Sequence, residues 1–416
     1  MTPAAHIAAA IEILDLILAG EYVEVSLNRW GRSNRFAGSG DRNAIRDLVF
    51  AALRQKSSLT KRTKDISGRS WIIALLQKQE VNFDKYFGVS KYSPTKITKV
   101  ELDLLPLKNE YDIYDIPSWL WPKWKASLGK KANDVANSLK ERANIFLRVN
   151  ITKGTRKDAL QALEKEGIIS NLHPTVSTAL VVNKGYRKIK NSRAYGSGLV
   201  ELQDASSQAS VLQLSMDQSG PILDFCAGGG GKSLALSAFL NQPIFAYDIN
   251  FERMKDLPKR ARRSSADIRI IESEDLKNLY YGLVFCDAPC SGSGTWRRDP
   301  EGKWSLTLKD YENLLSLQEN ILTTAAKLVK SNGILLYATC SILEDENQAQ
   351  IKKFLLNSNE WLFQDEKLFI PNELGDGFYF SILKKNKKTK LNCNNFKIFL
   401  AMFYLWSHKR TLVEQK

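Results

Sequence analysis

The chain has 416 residues, too many for one ordinary hydrophobic core, so we expect two or three domains. Its 60 lysines and arginines against 45 aspartates and glutamates give a formal charge of +15, which favours a polyanionic partner such as nucleic acid. An odd number of cysteines argues against a disulfide framework and favours a reduced, cytoplasmic setting. The apolar block Phe399 to Trp406 is far shorter than the ~20 residues of a membrane span, so no membrane partner is expected.

Residues 1–100 are predicted to form an all-helical domain. Apolar residues recur at helical spacing over Ala4 to Ala19, over Asp41 to Gln55 with Asp41 as the N-cap, and over Ser70 to Lys78. The basic residues of this domain could contact RNA phosphates, although exposed basic helix faces are more often simply solvated. These basic residues are Arg42, Arg46, Arg54, Lys61, Arg62 and Lys64.

Residues 101–116 are predicted to be a linker, because the stretch from Lys91 to Ile116 mixes charges with prolines and has no sustained period. Residues 117–198 then alternate helices and strands, which predicts a small α+β module. This module could bind RNA or could simply pack against the domain that follows it. Its predicted elements are the helices Ala132 to Ala143 and Arg156 to Glu166 and the strands Ile145 to Asn150 and Thr178 to Val182.

Residues 199–390 alternate strands and helices in the pattern of a doubly wound, Rossmann-like α/β sheet. The predicted parallel strands are Ile222 to Phe225, Ile244 to Tyr247, Ile268 to Ile271, Leu283 to Cys286 and Gly333 to Ala338. The predicted helices are Ser233 to Leu240, Phe251 to Arg263 with a restart at Pro258, Thr307 to Val329, and Asp345 to Leu356. Phe378 to Leu383 is predicted as an added edge strand, and the tail of residues 391–416 shows no pattern that indicates a role.

The strand that begins at Ile222 ends in a glycine-rich turn followed by a helix. Glycines let a ligand approach the backbone, and a helix N-terminus presents free N–H groups, so the turn predicts a nucleotide-like ligand. A phosphate-binding P-loop would need a glycine where Cys226 stands, and a dinucleotide site would need a third glycine where Ser233 stands. The turn therefore lacks one glycine of the P-loop motif and one glycine of the dinucleotide motif.

S-adenosylmethionine is the third ligand that suits this turn. An acid stands at the end of each of the first four strands, and acids suit a cationic sulfonium and a ribose but repel a phosphate. These acids therefore favour S-adenosylmethionine. They are Asp224, Asp248, either Glu274 or Asp275, and Asp287.

Two cysteines indicate the reaction. Cys290 and Cys340 stand in turns with small polar neighbours after neighbouring strands, so both thiols are expected to face one crevice. Cys226 and Cys286, which lie inside or close strands, are predicted to pack in the core. No Cys-x-x-Cys pair exists, so no metal is expected. Methylation at carbon 5 of a pyrimidine gives a nucleophilic thiolate a task, because that carbon is inert until the thiolate adds to carbon 6.

Four segments resemble the motif set of the Sun/RsmB-type RNA cytosine-5 methyltransferases, and the resemblance covers about Pro117 to Lys384. It implies a class I methyltransferase domain that uses S-adenosylmethionine to methylate cytosine in RNA, with ribosomal RNA as the expected partner. The helical N-terminus weakly resembles the NusB-like RNA-binding extension of bacterial ribosomal members. The four segments are residues 226–233, 287–304, 338–347 and 375–379.

The resemblance also implies roles for individual residues. Cys340 is the expected nucleophile, Cys290 assists product release, and Asp287 binds the target cytosine beside the cofactor. Asp248 is expected to bind the ribose hydroxyls, while the adenosine contact stays open between Glu274 and Asp275. The methionine part is expected to be held by Lys232 and the backbone of Cys226, Ala227, Gly228, Gly229, Gly230 and Gly231. The residues expected to contact RNA phosphates are Arg148, Arg297, Arg298 and Lys303.

Two other functions remain open from the residues alone. One is a P-loop-like nucleotide hydrolase, since Leu-Val-Phe-Cys-Asp287 imitates the strand that ends in a magnesium-binding aspartate. The other is a non-catalytic RNA-binding or ribosome assembly factor, which the presence of both turn cysteines disfavours.

Overall fold

The computed structural model describes residues 1–216 and 219–386, which form a helical N-terminal region, a four-stranded module and a seven-stranded α/β domain. The tail of residues 391–416, which includes the apolar block Phe399 to Trp406, lies outside the described residues. None of the helices within residues 1–216 and 219–386 is long and apolar enough to cross a bilayer.

The N-terminal region packs its helices around a core that includes Ile13, Leu14, Val49 and Ile72. Its helices are α1 Pro3–Leu18, α2 Val23–Ser33, α3 Ser39–Arg54, α4 Lys56–Arg62 and α5 Gly68–Lys78, with 3₁₀ turns at Phe83–Lys85 and Lys99–Leu102. The helix α2 was not predicted because most of its residues are polar, so its apolar period is sparse.

The start of α3 differs from the prediction. The N-cap is Gly38 and not Asp41, which lies in the first turn and accepts a hydrogen bond from the Gly38 N–H at 2.9 Å. A carboxylate at that position satisfies a donor that the helix leaves open at its N-terminus, so the acidic residue stabilises the end without being the cap itself.

The second region begins with short helices and leads into an antiparallel sheet in the order β2-β3-β1-β4. The sheet includes two strands that were not predicted, β2 and β4, which are short and carry few buried apolar residues. The elements are α6 Glu110–Ile113, α7 Trp121–Leu128, α8 Ala132–Ser138, β1 Ile145–Val149, α9 Arg156–Glu164, β2 Ile169–Leu172, β3 Ala179–Lys184, α10 Arg193–Gly196 and β4 Val200–Leu202, with 3₁₀ turns at Gly129–Lys131 and Tyr186–Asn191.

The third region confirms the predicted doubly wound α/β fold, with each of the five predicted parallel strands present. Its strands are β5 Ile222–Asp224, β6 Ile244–Ala246, β7 Ile268–Ile270, β8 Tyr281–Asp287, β9 Val329–Thr339, β10 Trp361–Phe369 and β11 Phe378–Lys385. Its helices are α11 Ala205–Leu212, α12 Gly231–Leu240, α13 Leu257–Ser264, α14 Pro300–Ser305, α15 Leu308–Leu328 and α16 Gln348–Leu356, with 3₁₀ turns at Phe251–Met254, Asp275–Asn278 and Glu344–Glu346.

The order of strands is β7-β6-β5-β8-β9-β11-β10, and β11 alone runs against its neighbours in this sheet. The prediction that Phe378 to Leu383 forms an edge strand is wrong, because β11 lies between β9 and β10. The strand β10 was not predicted, since it mixes apolar residues with exposed charged ones. The restart of the helix at Pro258 is confirmed, because a 3₁₀ turn ends at Met254 and α13 begins at Leu257.

The strands β5 and β8 place the site. Leu223, Leu283 and Val284 have no exposed surface, as expected for central parallel strands covered on both faces. The chain order reverses between β5 and β8, so the turns at the carboxyl ends of β5, β6, β8 and β9 open onto one crevice.

Residues 292–305, which we call the arm, leave the end of β8 and contact the N-terminal helices. The Lys303 Nζ donates to the backbone oxygens of Arg54 and Asp115, each at 2.9 Å, and the Trp304 indole donates to the Leu53 oxygen at 2.7 Å. The Val23 N–H donates to the Glu301 carboxylate at 2.9 Å. The arm therefore joins the crevice to the N-terminal region through buried and partly buried polar contacts.

Candidate active site

The glycine-rich turn after β5 is fixed by backbone geometry. Gly228 and Gly230 have φ angles of 50° and 78°, which favour glycine, and a Cβ on Gly230 would lie 2.1 Å from a methyl carbon of Leu257. The Gly228 N–H donates to the Asp248 carboxylate at 2.9 Å, and Arg253 lies 3.1 Å from the same carboxylate. The predicted cofactor turn and the predicted ribose ligand are thus held together.

An open cavity of about 340 Å³ lies beside this turn at the ends of β6 and β7. Asp248 and Glu274 line it, whereas Asp275 begins a 3₁₀ turn and is not among its lining residues. Glu272, Ile249 and Phe251 also line it and were missed in the sequence, although the position of Glu272 two residues after β7 is a usable signal. The remaining lining residues are Tyr247, Ile271 and Ser273.

Asp224, at the end of β5, is a buried acid with an unused oxygen. The Ser233 hydroxyl donates to its Oδ2 at 2.6 Å, while Oδ1 has no hydrogen-bond partner among the described residues. Burial, together with the nearby carboxylates of Asp287 and Asp248, raises the pKa of Asp224 to about 7. An unpartnered buried carboxylate oxygen beside a glycine turn fits a cationic ligand, so these residues fit S-adenosylmethionine.

Lys232, the second residue of α12, reaches across the crevice to the end of β8. Its Nζ lies 2.6 Å from the Asp287 Oδ2, and the two side chains are 15% and 28% exposed. Burial opposes the charge of Lys232, but Asp287 and Asp224 outweigh it and raise the pKa of this lysine above its ordinary value. Lys232 therefore stays charged and balances the acids around the cofactor turn.

The two turn cysteines meet, as their strand positions predicted. The Cys290 and Cys340 sulfurs are 3.2 Å apart, and the Gly294 N–H donates to the Cys340 oxygen at 2.9 Å, which joins the two turns. The hydrogen bond to Cys340, and then burial, raise the pKa of the Cys290 thiol well above its ordinary value. Cys290 therefore carries a proton at neutral pH while lying in contact with the second sulfur.

Of the other two cysteines among the described residues, Cys286 is fully buried and Cys226 is partly buried. Cys286 has no exposed surface, and its thiol forms a hydrogen bond with Cys226. This hydrogen bond, and then burial, raise the pKa of Cys286 well above its ordinary value. Cys286 therefore packs in the core as predicted, and Cys226 packs against the same core while staying partly buried. Within the part of the chain that the structure describes, no three His, Cys, Asp or Glu side chains are grouped so that they could hold a metal ion.

The predicted RNA contacts lie mostly in the interior. Arg297 and Lys303 are 3% and 1% exposed, and Arg148 is 5% exposed. The Arg297 Nε donates to the Asp376 carboxylate at 2.5 Å, while Arg148 donates to the Gly231 oxygen at 2.8 Å. These positions do not support contact with RNA phosphates, because each charged group already has a partner inside the protein.

Arg298 and Arg54 are also engaged by other parts of the protein. Arg298 is more open, but it bonds with Asp376 and donates to the Asn144 oxygen at 2.8 Å. Arg54, predicted as a solvated or RNA-contacting residue, is buried and donates to the Arg297 oxygen at 2.7 Å. The sequence could not reveal this, since the partners lie far away along the chain.

Comparison with protein families gives matches over both later regions. Residues 209–391 match the model of the 16S rRNA methyltransferase RsmB/F family, and residues 116–188 match the ferredoxin-like domain of the RsmF/B-like methyltransferases.

Curated relatives carry the name ribosomal RNA small subunit methyltransferase B. The relative from Proteus mirabilis is 30% identical over 289 residues, which are 67% of this chain and 68% of that protein. The relative from Shewanella oneidensis is 27% identical over 385 residues, 83% of this chain and 88% of that protein. For the relative from Cronobacter sakazakii, 31% identical, the match spans 57% of its length.

Solved structures share the fold at low sequence identity. The crystal structure of PH0851 superposes with a TM-score of 0.73 at 21% identity and covers 92% of this chain and 99% of that one. NSun6 from Pyrococcus horikoshii, crystallised with SFG, has a TM-score of 0.58 at 18% identity and covers 66% of this chain and 100% of that one.

Proposed function

The chain belongs to the RsmB/F family of 16S rRNA methyltransferases, and from this premise we propose that it methylates carbon 5 of a cytosine in ribosomal RNA. Its cofactor is S-adenosylmethionine, as in the family. Cytosine as the target base and the roles of individual residues are the finer part of the proposal.

The observation that carries the proposal is the meeting of two thiols beside a cofactor crevice. The Cys290 and Cys340 sulfurs lie 3.2 Å apart after adjacent parallel strands, next to the Lys232–Asp287 pair. Methyl transfer to a nitrogen or oxygen needs no sulfur nucleophile, whereas carbon 5 of a pyrimidine does. In such a reaction a second sulfur in contact with the first has a role, because the bond that the first sulfur forms with the base must later break.

S-adenosylmethionine, when bound, supplies an electrophilic methyl group. We assign its methionine part to the turn of Gly228 to Gly231, Lys232 and Asp224, and its ribose to Asp248. Glu272 or Glu274 would face its adenine, because both line the cavity beyond Asp248.

In the proposed reaction the Cys340 thiolate adds to carbon 6 of the cytosine. The electron pair of the double bond shifts to carbon 5, which then takes the methyl group. A base removes the proton from carbon 5, the double bond re-forms and the bond between Cys340 and carbon 6 breaks. The Cys290 thiol can donate its proton to the departing Cys340 sulfur, since the two atoms are in contact.

The same geometry sets what the RNA must present. A base that reacts through carbons 5 and 6 has to leave the base stack, which costs a few kcal/mol and least in single-stranded or loop RNA. The formal charge of +15 favours association with such RNA in a salt-dependent manner. We place the protein in the cytoplasm, in keeping with the free cysteines among its described residues.

The test compares two cysteine variants on ribosomal RNA. With labelled S-adenosylmethionine, Cys340→Ser should form neither product nor covalent complex, whereas Cys290→Ser should accumulate a protein–RNA adduct that survives denaturing electrophoresis. Bisulfite sequencing of the product should show one protected cytosine. Normal methylation by Cys340→Ser would contradict the assignment of the nucleophile, and product methylated elsewhere than carbon 5 would contradict the target.

Incubation with labelled ATP and RNA binding by the two cysteine variants separate the alternatives. A P-loop-like hydrolase should bind and cleave labelled ATP, but here Lys232 is engaged by Asp287 in a crevice of acids, which disfavours a phosphate. A non-catalytic assembly factor should bind RNA equally well with either cysteine replaced and form no adduct.

A further inference from the structure

Glu346 is a carboxylate with no exposed surface that lies between the two cysteine turns. We propose that it is a positioning residue which fixes the Cys290 thiol relative to the Cys340 thiol. The effect of Glu346 on catalysis rests on the proposed function. Its effect on the two thiols can be tested without that function.

The contacts of Glu346 reach both turns. Its Oε1 accepts from the Ser291 N–H at 2.8 Å and from the Gln318 amide at 2.9 Å, and its Oε2 accepts from the Ser291 hydroxyl at 2.5 Å and from the Ser341 hydroxyl. Ser291 directly follows Cys290, and Ser341 directly follows Cys340. Each cysteine is therefore held at the next residue along the chain by the same carboxylate.

The turn of Cys290 is also held on its other side. The Gln318 amide that donates to Glu346 also donates to the Pro289 oxygen at 2.9 Å. The residues before and after Cys290 are thus both tied to the pair formed by Glu346 and Gln318. Because the backbone is fixed on both sides of Cys290, its side chain keeps one orientation. A reaction between closely placed atoms requires such a fixed orientation.

The contacts explain why a carboxylate is needed. An ionised carboxylate offers about four lone-pair positions and no donor, and Glu346 receives four donors. A glutamine would replace one oxygen with an NH₂ group that faces donors of Ser291, Ser341 or Gln318. Its amide oxygen could keep the bonds from the Ser291 N–H and the Gln318 amide, but the NH₂ group would then face the Ser291 and Ser341 hydroxyls and could not accept from them. The Ser341 hydroxyl oxygen already accepts from the Leu343 N–H at 3.1 Å, so the hydroxyls would have to re-orient and the two turns would lose the acceptor they share.

Other contacts keep the fold without this carboxylate. The Gly294 N–H donates to the Cys340 oxygen at 2.9 Å, and the Asn347 amide donates to the Ser341 oxygen at 2.9 Å. The Tyr337 hydroxyl donates to the Glu346 backbone oxygen at 2.9 Å, which fixes the segment to β9. We therefore expect Glu346→Gln to fold with the two turns still adjacent but the thiols less precisely placed.

The first test measures the thiols without any methyl transfer. Diamide takes one proton and one electron from each of two adjacent thiols, so that a disulfide forms and the azo group becomes a hydrazine. In the wild type Cys290 and Cys340 should close rapidly, because their sulfurs need to move only about 1 Å from 3.2 Å to bonding distance. Glu346→Gln should close about tenfold more slowly, as quantified by mass spectrometry of the linked peptides.

The matched control is Glu344→Gln, which changes an exposed carboxylate in the same 3₁₀ turn. It should oxidise and methylate at the wild-type rate. Glu346→Asp keeps the charge but is one methylene shorter, so it should fall between Glu346→Gln and the wild type. A purely structural role would lower the melting temperature of these variants without changing the oxidation rate of the folded fraction.

The second test measures turnover on ribosomal RNA. Glu346→Gln should lower kcat by about 10²-fold, the effect of misplacing a reacting group by about 1 Å, with KM for RNA within about threefold of the wild type. Folded Glu346→Gln that oxidises at the wild-type rate would overturn the proposal. If Glu346→Gln does not fold, Gln318→Ala is judged by the same oxidation criterion. If the wild type transfers no methyl group, the proposed function fails, while the oxidation test still decides the role of Glu346.

Discussion

Lys232 and Lys303 are two largely buried lysines of the same domain. The amino group of one contacts a carboxylate, and that of the other contacts backbone oxygens. Lys232 faces the carboxylate of Asp287 at 2.6 Å, whereas Lys303 donates to the backbone oxygens of Arg54 and Asp115 at 2.9 Å. The pKa of Lys232 is raised above its ordinary value by its acids, although burial opposes this. Burial lowers the pKa of Lys303 to about 7, because Asp115 only partly compensates for the loss of water.

The difference shows that the partners of a buried lysine decide its role. A charge held against carboxylates survives burial and balances the acids of the cofactor crevice, while an amine held by backbone oxygens loses about half of its charge at neutral pH and mainly joins two regions of the chain. Both lysines stand in motif segments of the same family resemblance, so residue type and motif alone did not separate them.

The largest effect expected from this contrast is the loss of activity in Lys232→Met. The carboxylates of Asp287 and Asp224 would remain without their cation, which should lower the free energy of unfolding by about 3–5 kcal/mol. Because these groups lie in the cofactor crevice, kcat/KM should fall by about 10²–10³-fold. Methyl-transfer kinetics and calorimetry of S-adenosylmethionine binding would measure it. Lys309→Met, which changes an exposed lysine at the start of α15, is the matched control. If Lys232→Met kept the cofactor affinity and turnover of the wild type, Lys232 would have no role in activity that Lys303 lacks.

Lys303→Met should instead cost stability. Two buried carbonyl oxygens would lose their donor, so the free energy of unfolding in urea should fall by about 2–4 kcal/mol. The oxidation rate of Cys290 and Cys340 in the folded fraction should not change, because Lys303 is not in contact with either thiol turn. A normal unfolding midpoint together with slow oxidation would show that Lys303 acts on the crevice and not on the joint between regions.

The pH dependence of stability sharpens the comparison further. Between about pH 7 and about pH 9 an unfolded lysine binds a proton that the folded Lys303 has mostly released, so the unfolded state binds more protons. The free energy of unfolding should therefore rise with pH by up to about 1.4 kcal/mol per unit in this window, and level off below the folded pKa of about 7. Urea unfolding at several pH values should show this slope in the wild type and its loss in Lys303→Met. An equal slope in both proteins would assign the effect to another group.

The smallest effect is expected for Arg298→Ala, which replaces a partly exposed cation of the arm. Its guanidinium is engaged by Asp376, Asp204 and the Asn144 oxygen, so it has little capacity left for a phosphate. The affinity for ribosomal RNA should change by less than about twofold, and the slope of log affinity against log salt should stay the same. A slope reduced by about 0.9 would show that Arg298 neutralises one phosphate after all.

The sequence predicted those parts of the molecule that follow from local periodicity. Buried strands that end in small residues predicted the sheet and its crevice, and the strand ends predicted that Cys290 and Cys340 meet. β10 could not be predicted in this way because its charged residues hide the alternation, and the position of β11 depends on pairing with β9 across the sheet.

Predictions for single charged residues failed where the partner was distant. Arg297 pairs with Asp376, 79 positions later, and the charge of either residue alone indicates only a solvated or RNA-facing surface. Glu346 lies in one of the four motif segments, yet its four contacts come from Ser291, Gln318 and Ser341, which only the fold brings together. Burial and partner choice are tertiary properties that no local pattern contains.

The arm has a consequence for how the protein is made. The backbone oxygens of Leu53 and Arg54 receive their donors from Trp304 and Lys303, 251 and 249 residues later in the chain. At a synthesis rate of about 5–20 residues per second, the N-terminal helices leave the ribosome roughly 10–50 s before those donors exist. The contacts between the N-terminal helices and the arm therefore cannot form until residues 303 and 304 have been synthesised, so the first region to be translated waits for its last polar partners.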